Sequence, residues 1–330
     1  MKHLTHQFSK FILNTRHLSM MTTSFINEAN TESMNLLLEN IREKGVKKTE
    51  GKNLIAFSGG VDSSVVAAAV YHEFPENTSA VLGISAALPL SQLHLARQVA
   101  TSIGIPLIEF QTQEGEKDMY IANEGMSCYA CKTELYNSLI QVHKYISENM
   151  TTNSNNNSSN ITNTSHTNNI VRLFNGTNKE DLSDPTRVGL QAAAEFEVLS
   201  PLQYFDKNIV RSFARDFNLP NHAHAASPCL RSRLAFGVKA TSKNLQRVER
   251  AEELVRMQLT AHGVPLRDDH NLRVRHLPDD TARIELDSDL MAMQQTTDVL
   301  ALLAQQIAEV EGFPKVVFKE FKSGGVAKHL

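Results

Sequence analysis

The stretch LIAFSGGVDSSVVAAAV at residues 54–70 joins an apolar, strand-like run to an Ala/Val run that can enter a helix directly. Gly59 and Gly60 between them allow positive φ and let the backbone approach a ligand. The following helix would offer unpaired N–H groups and a positive dipole end. No Lys-Ser/Thr pair follows the glycines as in a Walker A loop, so main-chain N–H groups and the hydroxyls of Ser58, Ser63 and Ser64 would hold phosphate. The turn predicts a pyrophosphate site, and the alternative is an ordinary helix cap.

Strand and helix patterns alternate around this turn. Strands are predicted at residues 53–57, 79–85, 106–110 and 171–175, after a helix at 33–44. Such alternation is typical of an α/β fold, in which helices cover both faces of a parallel sheet. Ligands of these sheets bind at the carboxyl ends of the strands, so the Ser58 turn, Ser85 and the Gly176 segment should meet in one crevice.

Composition divides the chain into regions. Residues 1–30 read as a leader, because no acid precedes Glu28 and the basic and hydroxyl content suits a mitochondrial transit peptide or an unstructured start. Residues 149–169 are almost entirely Asn, Ser and Thr, which predicts a disordered insertion in a domain spanning 31–238. Residues 239–330 predict a small α+β domain, with helices at 244–262 and 289–309 and strands at 271–276, 282–286 and 316–318.

The composition, net charge and apolar stretches of the chain limit the class of protein to which it can belong. The 330 residues include 41% hydrophobic residues, enough for a substantial core. The net charge of -3 gives no electrostatic reason to expect a nucleic-acid partner. The apolar stretches fall short of the roughly 20 residues that cross a bilayer, so the expected location is the cytoplasm or the mitochondrial matrix.

The chain has three cysteines, Cys128 and Cys131 in SCYACK and Cys229 in SPCLRSR. So few cysteines argue against a disulfide framework. A Cys-x-x-Cys pair plus a distant cysteine suits three-point ligation of an iron–sulfur cluster whose fourth iron stays open. A redox pair, a zinc site completed by His222 or His224, and unrelated thiols stay open as alternatives.

The turn at 58–64 resembles the PP-loop of ATP pyrophosphatases, a group that includes NAD synthetases, GMP synthetases and tRNA-thiolating enzymes. Three further segments are similar to motifs of the LarE (ExsB-like) branch of that group: SCYACKTELY at 127–136, NGTNKEDLSDPTRVGLQAA at 175–193 and ASPCLRSRLAFG at 226–237. The segments LRVRH and ARIEL near the C-terminus fit that branch as well. The resemblance covers about residues 32–319, interrupted by the Asn-rich stretch.

The resemblance implies an ATP-dependent sulfur transferase that adenylates a small-molecule carboxylate, a nicotinate-derived mononucleotide, and replaces an oxygen with sulfur. Pyrophosphate would be held by Ser58, Gly59, Gly60, Val61, Asp62, Ser63 and Ser64, with Asp62 near Mg²⁺. The nucleotide would contact Ser85, Gly176, Thr177, Asn178 and Asp181, and the last four could equally cap a helix.

Two sulfur sources are known in the family that the chain resembles. One variety sacrifices a single cysteine at the position of Cys229, which is left as dehydroalanine. The other binds a [4Fe-4S] cluster, here through Cys128, Cys131 and Cys229, and the presence of all three makes the chain similar to this variety.

The resemblance also implies roles for arginines. Ser232 and Arg233 would lie beside the sulfur, and Arg231 or Arg233 would activate Cys229 if it is the nucleophile. Arg273 and Arg275, alternating along one strand, would bind the substrate phosphate; the alternative is a solvated or ion-paired face.

Rival functions are tRNA thiolation, which uses a similar set of three cysteines, ammonia-dependent amide formation, which leaves the cysteines without a role, and a non-catalytic nucleotide sensor. The expected partner is a small-molecule nucleotide substrate. The family tends to form homo-oligomers, and the ultimate sulfur donor is left unidentified.

Overall fold

The computed structural model describes residues 28–154 and 170–322. Residues 1–27 of the predicted leader, and residues 155–169 of the predicted insertion, lie outside the described residues. The first part of the chain forms, in order, α1 (Glu28–Lys44), β1 (Gly51–Ala56), α2 (Val61–Glu73), β2 (Thr78–Ile84), α3 (Leu90–Ile103), β3 (Leu107–Gln111), α4 (Asp118–Ala122), α5 (Ser127–Ser154), β4 (Ile170–Phe174), α6 (Lys179–Leu182), α7 (Gly189–Glu195) and α8 (Lys207–Asp216).

The four strands of this part form a parallel sheet in the order β3-β2-β1-β4. Strands β2 and β3 lie on one side of β1, and β4 lies on the other, so the strand order reverses at β1. The loops after β1 and β4 are therefore neighbours at the carboxyl edge of the sheet. A crevice at such a point is where open α/β sheets bind ligands. The predicted α/β fold is confirmed.

Alternate residues of β1 pack on opposite faces of the sheet. Ile55 belongs to a core cluster with helices α1, α2, α3 and α8, whereas Leu54 and Ala56 pack with Tyr136 and Leu139 of α5. Since successive side chains of a strand point to opposite faces, an apolar run of this kind must be covered on both sides. The apolar residues 54–57 therefore place β1 in a sheet that lies between two layers of helices.

The second part of the chain begins with a 3₁₀ turn at Leu230–Arg233 and continues with α9 (Ser242–Ala261), β5 (Leu272–His276), β6 (Thr281–Leu286), α10 (Ser288–Met291), α11 (Gln294–Glu311) and β7 (Lys315–Glu320). Its sheet has the order β5-β6-β7, with β5 antiparallel and β7 parallel to β6. Helices α9 and α11 cover this sheet with an apolar cluster of their own.

A smaller apolar cluster crosses the predicted boundary at residue 238. Leu245 and Val248 of α9 belong to it together with Tyr120 of α4 and Ala130 of α5. The two sheets therefore share packed side chains through α9, and the domain limits stay a prediction.

Two details differ from the sequence-based expectation. The helix predicted at 289–309 is interrupted, because Met293 is extended (φ -74°, ψ 136°) between α10 and α11. Helix α5 runs to Ser154, so the first residues of the predicted insertion at 149–154 are helical. In residues 28–154 and 170–322, no helix combines the length and apolar character needed to span a membrane.

Gly51 sits where β1 pairs with Ile170 of β4, and a Cβ added there would overlap the Ile170 carbonyl. We expect Gly51→Ala to lower the free energy of unfolding by about 2–4 kcal/mol, because backbone must move to admit the methyl group. Gly115 has open space around its Cα, so Gly115→Ala is the matched control and should stay within about 0.5 kcal/mol of the parent. Urea unfolding of both variants measures the difference, and equal values would contradict the strand pairing.

Candidate active site

The loop at residues 58–64 connects β1 to α2 at the carboxyl edge of the first sheet. Gly59 has φ +70°, and a Cβ there would lie 2.5 Å from the Cα of Ala96 in α3. Only glycine fits both the conformation and this approach. Gly60 is the N-cap residue of α2 and provides no side-chain cap, so the first turn of the helix presents main-chain N–H groups to an anion.

The loop hydroxyls hold the loop itself together. The Oγ atoms of Ser58 and Ser63 lie 3.1 Å apart, and Ser63 and Ser64 donate to the Gly60 carbonyl at 3.0 and 2.8 Å. Both Ser63 and Ser64 are buried. These bonds fix the shape of the turn, and contact of the three hydroxyls with phosphate stays a prediction.

Asp62 opens the first turn of α2 and faces the loop after β4. Asn178 Nδ2 donates to its carboxylate at 3.3 Å. Burial raises the pKa of Asp62, and the positive charges of Lys207 and Arg211 act against this. A carboxylate at the start of α2 and beside the phosphate loop is the kind of protein ligand that Mg²⁺ uses together with phosphates and waters.

Gly176, just after β4, packs directly on the start of α2. A Cβ there would lie 2.6 Å from the Ser63 nitrogen and 2.7 Å from the Asp62 carbonyl carbon. The absence of a side chain at Gly176 therefore lets the two loops touch. The sequence-predicted residues of both loops are thus brought together at the sheet edge.

The residues after Gly176 are organised by a capping box. Asn178 and Asp181 each accept from the main-chain N–H of the other, and Asp181 also pairs with Arg187 at 2.5 Å. Thr177 donates its N–H to the Asn175 side chain at 3.0 Å. The helix-cap alternative holds for Asn178 and Asp181, while a nucleotide contact of Thr177, Asn178 and Asp181 stays a prediction.

The segment that carries Cys229 is attached to the same sheet edge. Beyond the end of β2, Ser85 Oγ accepts from the Ala87 N–H at 3.2 Å, and the Ala87 carbonyl accepts from the Leu230 N–H at 2.8 Å. Cys229 precedes Leu230 and is exposed. A main-chain hydrogen bond therefore joins the segment that carries Cys229 to the loop after β2, the strand next to β1.

The three thiols influence one another electrostatically. Cys128 and Cys131 lie in the first two turns of α5 and are partly exposed. Burial raises the pKa of Cys131 to about 12, helped by the charges of Glu114 and Cys229. Burial also raises the pKa of Cys128, where Arg231 opposes the shift and the charge of Cys229 adds to it. The cysteines from two distant segments thus occupy one region.

Arg231 binds Cys128. Its Nη2 donates to Cys128 Sγ at 2.8 Å, and its Nη1 donates to Asn123 Oδ1 at 3.1 Å. Burial lowers the pKa of Arg231, but the nearby charges of Cys128 and Cys229 outweigh burial and raise that pKa. Arg231 is therefore close to both thiols, and activation of Cys229 by Arg231 or Arg233 stays a prediction.

Arg233 is almost fully buried, at 1% exposure. Its Nε donates to Glu252 Oε1 of α9 at 2.8 Å, and its Nη1 contacts the carbonyls of Pro228 and Cys229 and the Oγ of Ser232. Arg233 therefore holds the cysteine segment by its main chain.

Arg273 and Arg275 approach the same segment from β5. Arg273 donates to the Ala226 carbonyl, and Arg275 donates to the Ser232 carbonyl at 2.9 Å and to Glu285 at 2.6 Å. Burial, with the nearby charge of Arg233, lowers the pKa of Arg273 to about 10. The ion-paired alternative describes Arg275, and the binding of a substrate phosphate by either arginine stays a prediction.

The described residues contain no preformed cluster of metal-ligating side chains. Across residues 28–154 and 170–322, no set of three or more His, Cys, Asp or Glu side chains is arranged to hold a metal ion. The three thiols are soft donors of the kind that iron–sulfur clusters use, but one of them already accepts a hydrogen bond from Arg231.

Three site residues were not predicted from sequence. Gln92 donates to the Ser58 carbonyl at 2.8 Å, and Asn221 donates to the Gly59 carbonyl at 2.8 Å. Asn123 accepts from Arg231 and positions it. Each comes from a segment remote in sequence, and no local pattern marks it; only the fold brings it to the site.

Loss of Arg233 should release the cysteine segment. We expect Arg233→Ala to cost about 3–5 kcal/mol of unfolding free energy, because it leaves Glu252 as an unpaired, largely buried carboxylate. It should also speed the reaction of Cys229 with a thiol reagent. Arg97→Ala is the matched control, since Arg97 forms an equally short but exposed pair with Glu109 and should cost far less. Equal melting temperatures for the two variants would contradict this role.

The chain is similar to two known proteins, although no protein-family model matches it. The protein slr1717 of Synechocystis, which is uncharacterised, is 32% identical over 263 residues, covering 79% of this chain and 89% of the relative. The pyridinium-3,5-bisthiocarboxylic acid mononucleotide synthase of Lactiplantibacillus plantarum is 29% identical over 236 residues, covering 70% of this chain and 73% of the relative. The chain therefore belongs to the same family as the Synechocystis protein, and its more distant similarity to the synthase supports a LarE-like relationship.

Proposed function

We propose that this protein is an ATP-dependent sulfur transferase of the PP-loop type. It adenylates the carboxylate of a small nucleotide, by relation to the bacterial synthase a nicotinate-derived mononucleotide, and replaces a carboxylate oxygen with sulfur. The observation that carries the proposal is the bond from Leu230 to Ala87, which attaches the Cys229 segment to the sheet edge that bears the phosphate loop. Activation and sulfur delivery can then share one crevice.

The first step forms the acyl adenylate. The substrate carboxylate attacks the α-phosphorus of ATP, and pyrophosphate leaves with the bonding electrons. The negative charge that develops on pyrophosphate would be met by the main-chain N–H groups at Gly60 and the first turn of α2. Such preorganised donors stabilise a transition state strongly, because they need no reorganisation when the charge appears.

Mg²⁺ would assist this step beside Asp62. The ion supplies charge neutralisation to the phosphate oxygens when bound. Asp62 offers one carboxylate, and Asn178 orients it through the 3.3 Å bond. A single protein carboxylate is enough when phosphates and waters complete the octahedron.

The second step transfers sulfur. The Cys229 thiolate attacks the acyl carbon, AMP leaves, and a thioester forms. Loss of the α-proton of Cys229 to a base and cleavage of its Cβ–S bond then release the thiocarboxylate and leave dehydroalanine. Cys229 is the exposed thiol of the three, so an adenylated substrate can reach its Sγ. Ser232 and Arg233 shape the main chain around it.

A [4Fe-4S] cluster held by Cys128, Cys131 and Cys229 is the second candidate sulfur source. The mutual influence of the three thiols on their pKa values favours it, since it places them in one region. When bound, the cluster would supply sulfide through its open iron. The three thiols do not form a ready metal site in the described residues, so the chemistry above is derived through Cys229 alone.

The substrate's own phosphate would lie toward Arg273 and Arg275. Both guanidinium groups come from one face of β5 and reach the segment at 226–232. Arginine suits phosphate because its planar fork donates two parallel hydrogen bonds. Ser232, whose hydroxyl already donates to the Cys229 carbonyl at 2.7 Å, would lie between this phosphate and the thiol.

Cys229→Ala should separate the two steps. We expect the variant to release pyrophosphate and to accumulate acyl adenylate, but to form no thiocarboxylate, because the phosphate loop is intact while the attacking sulfur is gone. Chromatography of nucleotides and thiocarboxylate after a single turnover measures this. Thiocarboxylate from the Cys229→Ala protein would contradict the proposal.

Cys128→Ala distinguishes the two sulfur sources. If Cys229 is sacrificed, Cys128→Ala retains one turnover, and mass spectrometry of the parent shows loss of H₂S from the Cys229 peptide. If a cluster delivers sulfide, the parent reconstituted anaerobically with iron and sulfide absorbs in the visible and gives an electron paramagnetic resonance signal on reduction. Cys128→Ala then loses both the signal and the turnover.

A further inference from the structure

Two carbonyl groups of the phosphate loop are held by side-chain amides from outside the loop. Gln92 Nε2 of α3 donates to the Ser58 carbonyl at 2.8 Å, and Asn221 Nδ2 donates to the Gly59 carbonyl at 2.8 Å. Asn221 Nδ2 also lies 3.0 Å from Ser64 Oγ. A carbonyl oxygen only accepts, so the amide nitrogen must face it, and these orientations follow from the chemistry of the partners.

The orientation of these carbonyls determines the orientation of the neighbouring N–H groups. In a planar trans peptide the C=O and the N–H point in opposite directions. Fixing the Ser58 carbonyl therefore fixes the Gly59 N–H, and fixing the Gly59 carbonyl fixes the Gly60 N–H, each on the side away from its amide. The Gly60 N–H makes only a long hydrogen bond, 3.4 Å, to Ser58 Oγ, which a phosphate oxygen could replace. Glycine peptides rotate easily, so this constraint matters most here.

We propose that Asn221 is a positioning residue for the phosphate cradle, and that it turns the Gly60 N–H toward the pyrophosphate of ATP. Gln92 does the same for the Gly59 N–H. This inference rests on the proposed function, and it assigns to two residues outside the loop the task of aligning its donors before ATP arrives.

The burial of Asn221 supports this role over a purely structural one. Asn221 is fully buried, and its Oδ1 has no hydrogen-bond partner among the described residues. By contrast, Asn53 uses both ends of its amide, accepting from the Val46 N–H and donating to the Val46 carbonyl. A buried amide with one unsatisfied end needs an explanation, and the only contacts of the Asn221 amide among the described residues are those of its donor end with the phosphate loop.

Asn221 also ties the cradle to the segment that leads to Cys229. Arg211 of α8 donates to the carbonyls of His222 and His224 at 2.7 and 2.9 Å and so fixes the chain around Asn221. The cradle is therefore aligned against the same stretch of backbone that continues, a few residues later, into the cysteine segment.

The test is pyrophosphate affinity in the full-length protein. Calorimetric titration of Asn221→Ala with pyrophosphate and Mg²⁺ should give a Kd at least about tenfold above that of the parent, since the Gly60 N–H is no longer held in its binding orientation. In pyrophosphate release from ATP with excess substrate, the KM for ATP should rise by a similar factor, with a smaller change in kcat.

Asn77→Ala is the matched control. Asn77 is equally buried, and its Nδ2 likewise donates to two acceptors, the carbonyls of Val46 and Gly51, but at the opposite end of β1. It should lower the melting temperature as Asn221→Ala does and leave pyrophosphate affinity unchanged. Equal losses of affinity in the two variants would overturn the inference.

Gln92→Met keeps the test decisive if Asn221→Ala does not fold. Methionine matches glutamine in length but cannot donate to the Ser58 carbonyl, so it should weaken pyrophosphate binding in a folded protein. Unchanged affinity in Gln92→Met, or in a folded Asn221→Ala, would refute the positioning role while the proposed function stands. A parent protein that binds neither pyrophosphate nor ATP would refute both.

Discussion

The buried guanidinium of Arg233 is the interaction on which the site depends. It is bound by Glu252 of α9, and Glu252 also accepts from the Val274 N–H of β5 at 3.0 Å. One ion pair thus links the cysteine segment, the long helix and the second sheet. A buried charge is tolerated only when it is paired and its donors are satisfied, and here the remaining donors reach main-chain carbonyls around Cys229. The position of the exposed thiol is therefore set by the packing between the two sheets.

A second constraint is steric and concerns the phosphate loop. Gly59 and Gly176 bring the loop against α3 and against the β4 loop, at distances that no side chain would allow. The cradle then needs no lysine, because its donors are main-chain N–H groups at a helix start. Such donors have fixed directions, so the stabilisation that they give to a bound phosphate depends on how firmly the surrounding peptide groups are held.

Much of the first sheet and of the phosphate loop could be predicted from the sequence, for physical reasons. Apolar runs such as residues 54–57 predict buried parallel strands because a sheet covered on both faces requires them. The glycine pair predicts its turn because Gly59 needs positive φ. The break at Met293 could not be predicted, since neither glycine nor proline marks it. Arg231 and Arg233 are both close to Cys229 in sequence, so the sequence alone does not distinguish their contacts. Asn123 holds Arg231 against Cys128, whereas Glu252 holds Arg233 against main-chain carbonyls.

The contact between Arg231 and Cys128 bears on how the three thiols divide their work. Burial disfavours the thiolates of Cys128 and Cys131, and Arg231 compensates only at Cys128. Its guanidinium is held in place by Asn123, whose own amide donates to the carbonyls of Ala235 and Val238 beyond the cysteine segment. The larger of the two charges that oppose this effect at Cys128 therefore comes from the segment that carries Cys229, and the smaller comes from Lys132 of α5. Displacing the Cys229 segment would remove the Arg231 charge from Cys128 and the exposed thiol from the crevice together, so the cysteines depend on one another through backbone position as well as through charge.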